Sequence, residues 1–496
     1  MKRACDRCIN RKVRCDGSLP CVRCSSRPGL SCTYLTPTRK RGPKFSRLRH
    51  LRVPFQDRPT QCTEKDERSR LVECHDVRTS TLQIKEHDSR IPLVVLETII
   101  EAYETRMFPV WPVIGSESLL QQLRKPGDCI DAYVVATALS AATMAQLHLP
   151  PMRYQSQMFA SEDIERECRR VRATSEYREQ PDLRGVLTSF FLHVYHAKVD
   201  NQNSALLYIQ EAIALARLLH LDEDEDERSC ENGSCDELAN GKIIYLLLWV
   251  TERGYAIQYG LPISLHHTVS LSSIKLSTSG TCIQGLINLA SLFVTFDSSS
   301  IPQFSRYKEF PVSKDQLVGL EKIFANTPAP LKHLSVAQQA DFLATKNWMQ
   351  TLLWQQAMSR GFLSSSSECE FMTFRYPARV ARESLMRIRL FSTGDLIPLG
   401  RDQLVKLFEV ANTLADVLLC NTQLAKHSSG QLGPQDFLHG LYQFISPMLE
   451  LDGACDSMLR QKTAEVLVRT PTRFWQLESG TMSDNEWMTG TKLLNQ

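Results

Sequence analysis

A small cysteine-built module followed by a large all-α helical body is the architecture this sequence predicts. Three observations carry that expectation. Six cysteines fall within the first 32 residues: Cys5, Cys8, Cys15, Cys21, Cys24 and Cys32. Formal charge changes sign along the chain. From about residue 91 apolar side chains recur at helical spacing, while alternating strand patterns are scarce.

The cysteines are spaced C-x2-C-x6-C-x5-C-x2-C-x7-C, so a C-x2-C-x6/7-C unit occurs twice and each copy offers three thiolates. A structural zinc site is tetrahedral and needs four ligands. One triplet cannot close a site. Two metals need eight bonds, and six sulfurs provide eight if two of them bridge, which favours a binuclear Zn2Cys6 cluster. The stretches Asp6 to Lys12 and Val22 to Arg27 are polar and can each form a helical turn or two, with Pro20 turning the chain between the halves. A module this small has no core and must draw its folding energy from metal. A disulfide framework needs an oxidising compartment, and Met1 to Cys5 carries no apolar leader core. A mononuclear ribbon on Cys5, Cys8, Cys21 and Cys24 has ordinary zinc spacing, but leaves Cys15 and Cys32 as spare thiols in a cationic segment.

Charge separates the two parts. Residues 1–52 hold fifteen Lys or Arg against two acids, Asp6 and Asp16, for a formal +13; the chain as a whole is +3, so the remainder carries −10. A polycation joined to an acidic body fits attraction of the first part to phosphate and a body that does not itself bind nucleic acid. Between Cys8 and Cys15 lie Arg11, Lys12 and Arg14, a compact positive tip of the kind that enters the major groove, where Arg and Lys match guanine O6 and N7. Arg7, Arg14 and Arg23 are placed for phosphate contacts. Residues 36–90 read as a linker, basic at first and then polar. Arg39, Lys40, Arg41 and Lys44 among prolines and glycine suggest an extended arm over the DNA backbone and a nuclear localisation patch.

The run CDRCINRKVRCDGSLPCVRCSSRPGLSCTY resembles the fungal zinc binuclear cluster transcription factors. That resemblance implies two Zn2+ per chain, Cys5 and Cys21 as the bridging ligands, and double-stranded DNA as partner. It also implies Arg11 and Lys12 as the residues that reach the bases of a CGG triplet. The Cys-Thr-Tyr followed by Arg-Lys-Arg-Gly-Pro-Lys is similar to the family's maltose-activator branch. Members of the family often dimerise through heptads after the linker. Here Leu48, Leu51, Val53 and Phe55 lead into polar sequence with no sustained seam, so a monomer or weak homodimer is expected.

In the body, Leu93 to Met107, Ile130 to Leu147, Leu183 to Val199, Ser204 to Leu219 and Lys242 to Tyr259 read as helices. The third and fourth form a hairpin, and Gly260-Leu261-Pro262 stops the fifth. Further helices are expected at 336–360, 376–391, 400–425 and 435–468. The apolar run Ile243 to Val250 is far short of a bilayer span, and no segment is expected to reach the ~20 residues required. Residues 91–300 resemble the family's middle regulatory region in Phe108-Pro109-Val110-Trp111-Pro112, Ala205 to Ala212 and Leu248 to Gly254. Residues 301–496 follow as a helical C-terminal part. There Arg473-Phe474-Trp475 to Trp487-Met488 is either an activation segment or core packed on the last helix.

The other chemistry-bearing residues read as structural. Glu252 and Arg253 suit an ion pair inside the body, since buried charges survive when paired. His193 and His196 lie three apart but lack a third ligand, and Cys230 and Cys235 flank Glu231 to Ser234 in an expected exposed loop after the acidic run Asp222 to Glu227. No catalytic constellation is evident. The chain therefore reads as a nuclear, sequence-specific regulator at RNA polymerase II promoters that engages the transcription machinery. Its expected role is a pathway-specific activator of carbohydrate utilisation or of secondary metabolism. The alternative is a helical enzyme or scaffold carrying an accessory zinc module.

Overall fold

The computed structural model describes residues 4–11, 13–25, 32–33, 90–125, 129–221, 235–266, 280–297, 312–328, 333–421, 424, 432–449 and 453–470. The expected tether, the acidic loop with Cys230 and the Cys235 side chain, the Leu48 to Phe55 stretch and the C-terminal aromatic segment lie outside them. The chain forms two compact units, residues 1–50 and 51–496.

In the first unit, α1 (Asp6–Asn10) and α2 (Val22–Ser25) each begin at the first cysteine of a repeat. Cys5 is the N-cap of α1, its sulfur accepting from the Cys8 N–H at 3.4 Å. What is buried here is the cysteines themselves, with Val13 against them, while Ile9, Leu19 and Val22 face outward. Among the described residues no hydrocarbon interior holds these turns together.

The second unit is built on α3 (Leu93–Ala102), α4 (Ser116–Arg124), α5 (Ile130–Leu147), α6 (Ser161–Arg172), α7 (Leu183–Lys198) and α8 (Gln202–Leu218). It continues with α9 (Cys235–Tyr259), α10 (Gly280–Asp297), α11 (Lys314–Asn326), α12 (Val336–Ser359) and α13 (Tyr376–Ile388). The last elements are the short α14 (Thr393–Leu396), then α15 (Gly400–Cys420), α16 (Pro434–Leu449) and α17 (Gly453–Arg469). A two-stranded antiparallel hairpin, β1 (Met152–Tyr154) with β2 (Gln157–Phe159), is the sheet among the described residues. One apolar core runs from Ile91 to Val466.

Helix α5 forms the centre of the first half. Ala132, Ala136, Ala138, Ala141 and Ala142 are fully buried, and their small side chains let α3, α6 and α7 approach it on several faces. Contrary to expectation, this helix is long and apolar enough to span a bilayer by length and composition, but 83% of it is buried inside the protein. Its hydrophobicity serves the core. Helices α7 and α8 pack as the expected hairpin.

A π-helical turn, Tyr103–Met107, leads into the Phe108 to Pro112 segment. The Tyr103 hydroxyl donates to the Trp111 carbonyl at 2.7 Å, and Trp111 packs edge-on against Phe190 and Phe191. That motif is a packing anchor.

In the second half α12, α13, α15, α16 and α17 pack together. The stretch expected as one helix over 435–468 is two elements, α16, which carries Pro447 inside it, and α17. Helices α4, α6, α10 and α11 and the β1–β2 hairpin were not expected. Helix α6 is so charged that its apolar stripe shrinks to Ile164, Cys168 and Val171.

Glu252 and Arg253 are both buried on α9. Arg253 lies over the Trp249 ring at 3.6 Å and donates to Asp297 Oδ2 and the Leu265 carbonyl, each at 2.8 Å. Glu252 accepts the backbone N–H groups of Ser264 at 2.6 Å and Leu265 at 2.9 Å. The pair thus clamps the chain that leaves α9 after Gly260, whose φ of +65° permits the turn. The two histidines are packing groups: His193 Nδ1 lies 2.8 Å from the Ala205 carbonyl, and His196 pairs with Glu165 at 3.1 Å and stacks on Tyr208.

Candidate metal centre and nucleic-acid interface

The two cysteine repeats close on each other with an approximate internal symmetry. In the first half the Cys5 N–H donates to Cys15 Sγ at 3.5 Å, and in the second the Cys21 N–H donates to Cys32 Sγ at 3.4 Å. Ile9 N–H donates to the Cys5 carbonyl, as Ser25 N–H does to that of Cys21. Each half is the same local solution to the same spacing: a helical turn after the first cysteine brings the second alongside it, and a loop returns the third.

Sulfur positions form two tetrads, Cys5, Cys8, Cys15 and Cys21, and Cys5, Cys21, Cys24 and Cys32, each with its sulfurs within 4.8 Å of one another. Both contain Cys5 and Cys21. The Sγ separations are 3.7 Å for Cys5–Cys21, 3.7 Å for Cys5–Cys24 and 3.8 Å for Cys8–Cys21. A tetrahedron with zinc–sulfur bonds of ~2.3 Å has edges of about 3.8 Å. The donor set therefore fits two tetrahedral zinc sites sharing an edge.

Electrostatics distinguishes the shared sulfurs from the outer ones. Burial opposes ionisation of Cys5, yet the Cys8 N–H and the neighbouring thiols outweigh it and bring its pKa down to about 6. Cys21 is lowered too, burial again being overcome, here by the Cys24 side chain and N–H. Cys8 is pushed up, chiefly by its hydrogen bond to Cys5, and Cys24 to about 12, chiefly by its bond to Cys21. The two sulfurs common to both tetrads are thus readier to ionise than Cys8 and Cys24.

Both acids of this cationic unit act as braces, a role the sequence reading missed. Asp6 N–H donates to the Thr33 carbonyl at 2.8 Å and its carboxylate accepts from the Thr33 hydroxyl at 3.2 Å, tying down the chain beyond Cys32. Asp16 accepts from the Ser18 hydroxyl, which lowers its pKa, and from the Val22 N–H at 3.2 Å, at the start of α2. Their rarity among fifteen cations was the available signal.

Of the sequence-predicted DNA residues, Arg11 is exposed directly after α1, Arg14 and Arg23 are exposed, and Arg7 is half-buried on α1. Lys12, Arg39, Lys40, Arg41 and Lys44 lie outside the described residues. Arg11, Arg14 and Arg23 are thus exposed in the unit that the cysteines and the two braces hold together.

Residues 3–41 match the fungal Zn(2)-Cys(6) binuclear cluster domain. The chain carries a fungal zinc binuclear cluster domain. Relatives share nearly its whole length. A probable sucrose utilization protein of Candida albicans is 26% identical over 91% of this chain and 84% of its own. A maltose fermentation regulatory protein of Saccharomyces cerevisiae is 24% identical over 84% of each chain. A respiratory transcription factor of the same yeast is 23% identical over 93% of this chain and 92% of its own. The zinc-cluster protein accordingly takes two zinc ions and binds DNA, and it is a regulator and not an enzyme. When bound, the metals would supply fixed coordination to a unit whose described residues bury little besides cysteine.

Proposed function

We propose that this zinc-cluster protein is a nuclear, pathway-specific activator of carbohydrate-utilisation genes, acting at RNA polymerase II promoters with CGG-type half-sites. The observation that carries the reading is the pair of cysteine tetrads sharing Cys5 and Cys21, which fixes α1 with the exposed Arg11 at its end. In this reading all six cysteines are zinc ligands, with Cys5 and Cys21 bridging. Arg11 and Lys12 meet guanine O6 and N7, while Arg7, Arg14, Arg23 and the arm of Arg39, Lys40, Arg41 and Lys44 meet phosphates. Residues 1–35 form the DNA-binding domain and 36–90 its linker. Residues 91–300 and 301–496 are regulatory and engage the transcription machinery. The absence of a heptad seam in the sequence after the linker supports a monomer or weak homodimer. Carbohydrate use is favoured over secondary metabolism because relatives aligned over most of the chain are named for sucrose and maltose.

Selection of bound duplexes from a random library by the purified full chain tests the DNA reading. A CGG triplet should be enriched, and Lys12→Ala should relax the preference at a cost of ~1–3 kcal/mol. Enrichment of no triplet would overturn it. Transcript profiling of a deletion strain tests the pathway: sugar-use genes should lose induction, and unchanged levels would refute that assignment.

A further inference from the structure

Helix α13 concentrates positive charge within an acidic body. Residues 375–389 hold five arginines, Arg375, Arg379, Arg382, Arg387 and Arg389, against the acid Glu383, for a formal +4 where the body as a whole carries −10. Arg375, Arg379, Arg382 and Met386 stand at i, i+4, i+7 and i+11, so they share one face of the helix, with Leu390 just beyond its end. Val380, Ser384 and Ile388 lie on the opposite face and are buried.

Three of these arginines have no counterion among the described residues. Arg379 pairs with Glu321 at 2.7 Å and with Glu370 at 3.2 Å. Among the described residues no carboxylate lies within ion-pair distance of Arg375, Arg382 or Arg387. Arg375 and Arg387 are exposed, and Arg382 is half-buried. Like charges at i, i+4 destabilise a helix, so the strip carries a repulsion that an anionic partner would relieve.

The same strip borders apolar surface. Arg375, Arg379 and Arg382 form one wall of a groove of about 540 Å³, and Leu414, Val417 and Leu418 of α15 with Phe437 of α16 form the other. Arg379 and Arg382 also line a second recess of about 440 Å³ with Met386 and Leu390, which are 37% and 75% exposed. The two recesses share those arginines, so the surface runs on for about 22 Å along the helix. A nucleic-acid backbone would use the cations and gain nothing from the apolar wall. Carboxylates match the forked guanidinium groups, and aromatic or leucine side chains match the wall of α15 and α16. Both together describe an acidic amphipathic peptide.

From this we infer that the α13 strip is a docking site for an acidic amphipathic peptide of a partner protein. Its carboxylates meet Arg375, Arg382 and Arg387, and its apolar side chains enter the groove against α15 and α16. The surface lies wholly on the helical body and is independent of the promoter and pathway assignments. The test takes zinc-loaded full chain and a fluorescent peptide of about 15 residues, the length of the strip, in which Glu and Asp alternate with Leu and Trp. Affinity is read by anisotropy, and the contact is mapped with a benzophenone form of the peptide and mass spectrometry. Crosslinks should fall on α13 and α15. Arg375→Ala with Arg382→Ala should weaken binding at least tenfold, as should Leu390→Asp, with the melting temperature of each variant unchanged. The same peptide with Gln and Asn in place of its acids, and a polyglutamate of equal length, should each bind at least tenfold more weakly. Equal affinity in wild type and the double variant, a polyglutamate that binds as tightly, or crosslinks confined to the cationic residues 1–52 would overturn the inference. So would a tenfold gain in peptide affinity on removing residues 471–496, which would make the chain's own C-terminal segment the occupant. Self-association that the double variant abolishes would likewise give the strip to a second copy and overturn it.

Discussion

Replacing Arg253 by methionine should destabilise the helical body by ~3 kcal/mol, at the lower end of the cost of breaking a buried ion pair. Methionine has a comparable length and no donors. The substitution strips Asp297 Oδ2 and the Leu265 carbonyl of hydrogen bonds of 2.8 Å, and Trp249 of the cation 3.6 Å above its ring. Glu252 keeps the Ser264 and Leu265 N–H groups, so its carboxylate is not left bare. Asp297 is 25% exposed and recovers some hydration, which places the loss at the lower end. Burial already raises the Asp297 pKa against the pull of Arg253, so the variant should raise it further. With a urea slope of ~3 kcal/mol/M, the midpoint should fall by about 1 M. Arg253→Lys should fall between the two, since it retains charge without the planar fork. A midpoint for Arg253→Met within ~0.2 M of wild type would refute the clamp.

Other substitutions separate the sulfurs and the titrating groups. Cys8→Ala should leave one four-sulfur site and about one zinc per chain, whereas Cys21→Ala removes a sulfur common to both tetrads and should leave neither site closed; equal zinc content in the two variants would contradict the shared edge. Burial holds the His193 pKa down to about 4 from 6.5. The unfolded chain therefore binds the extra proton between those values, and stability should fall by ~1.4 kcal/mol per pH unit as pH drops through that window. His193→Gln should flatten that slope, and an unchanged slope would assign it to other groups. Neutralising Arg39, Lys40 and Arg41 together should weaken binding to all duplexes alike and flatten its salt dependence; a changed base preference would refute their phosphate role.

What could be read from the sequence was what local spacing determines. The paired C-x2-C units announce their geometry because a single helical turn fixes each relation. The α7–α8 hairpin followed from apolar periodicity across Asp200 to Asn203, and the Glu252–Arg253 pair from the improbability of burying charge alone. Helix α6 escaped because its burial is partly ionic. Arg172 is buried through Glu211 at 3.1 Å and the Ser189 hydroxyl at 2.6 Å, partners that tertiary packing supplies. Asp6 and Asp16 looked like ordinary surface acids until Thr33 and Val22 were placed beside them.

The central claim is that two zinc sites sharing Cys5 and Cys21 present the DNA-reading surface. Native mass spectrometry of the full chain with a CGG-containing duplex tests it most directly. Two zinc ions per chain and a DNA complex should be seen, and a chelator should abolish both together. One zinc per chain, or a sequence-specific complex that survives complete metal removal, would contradict it.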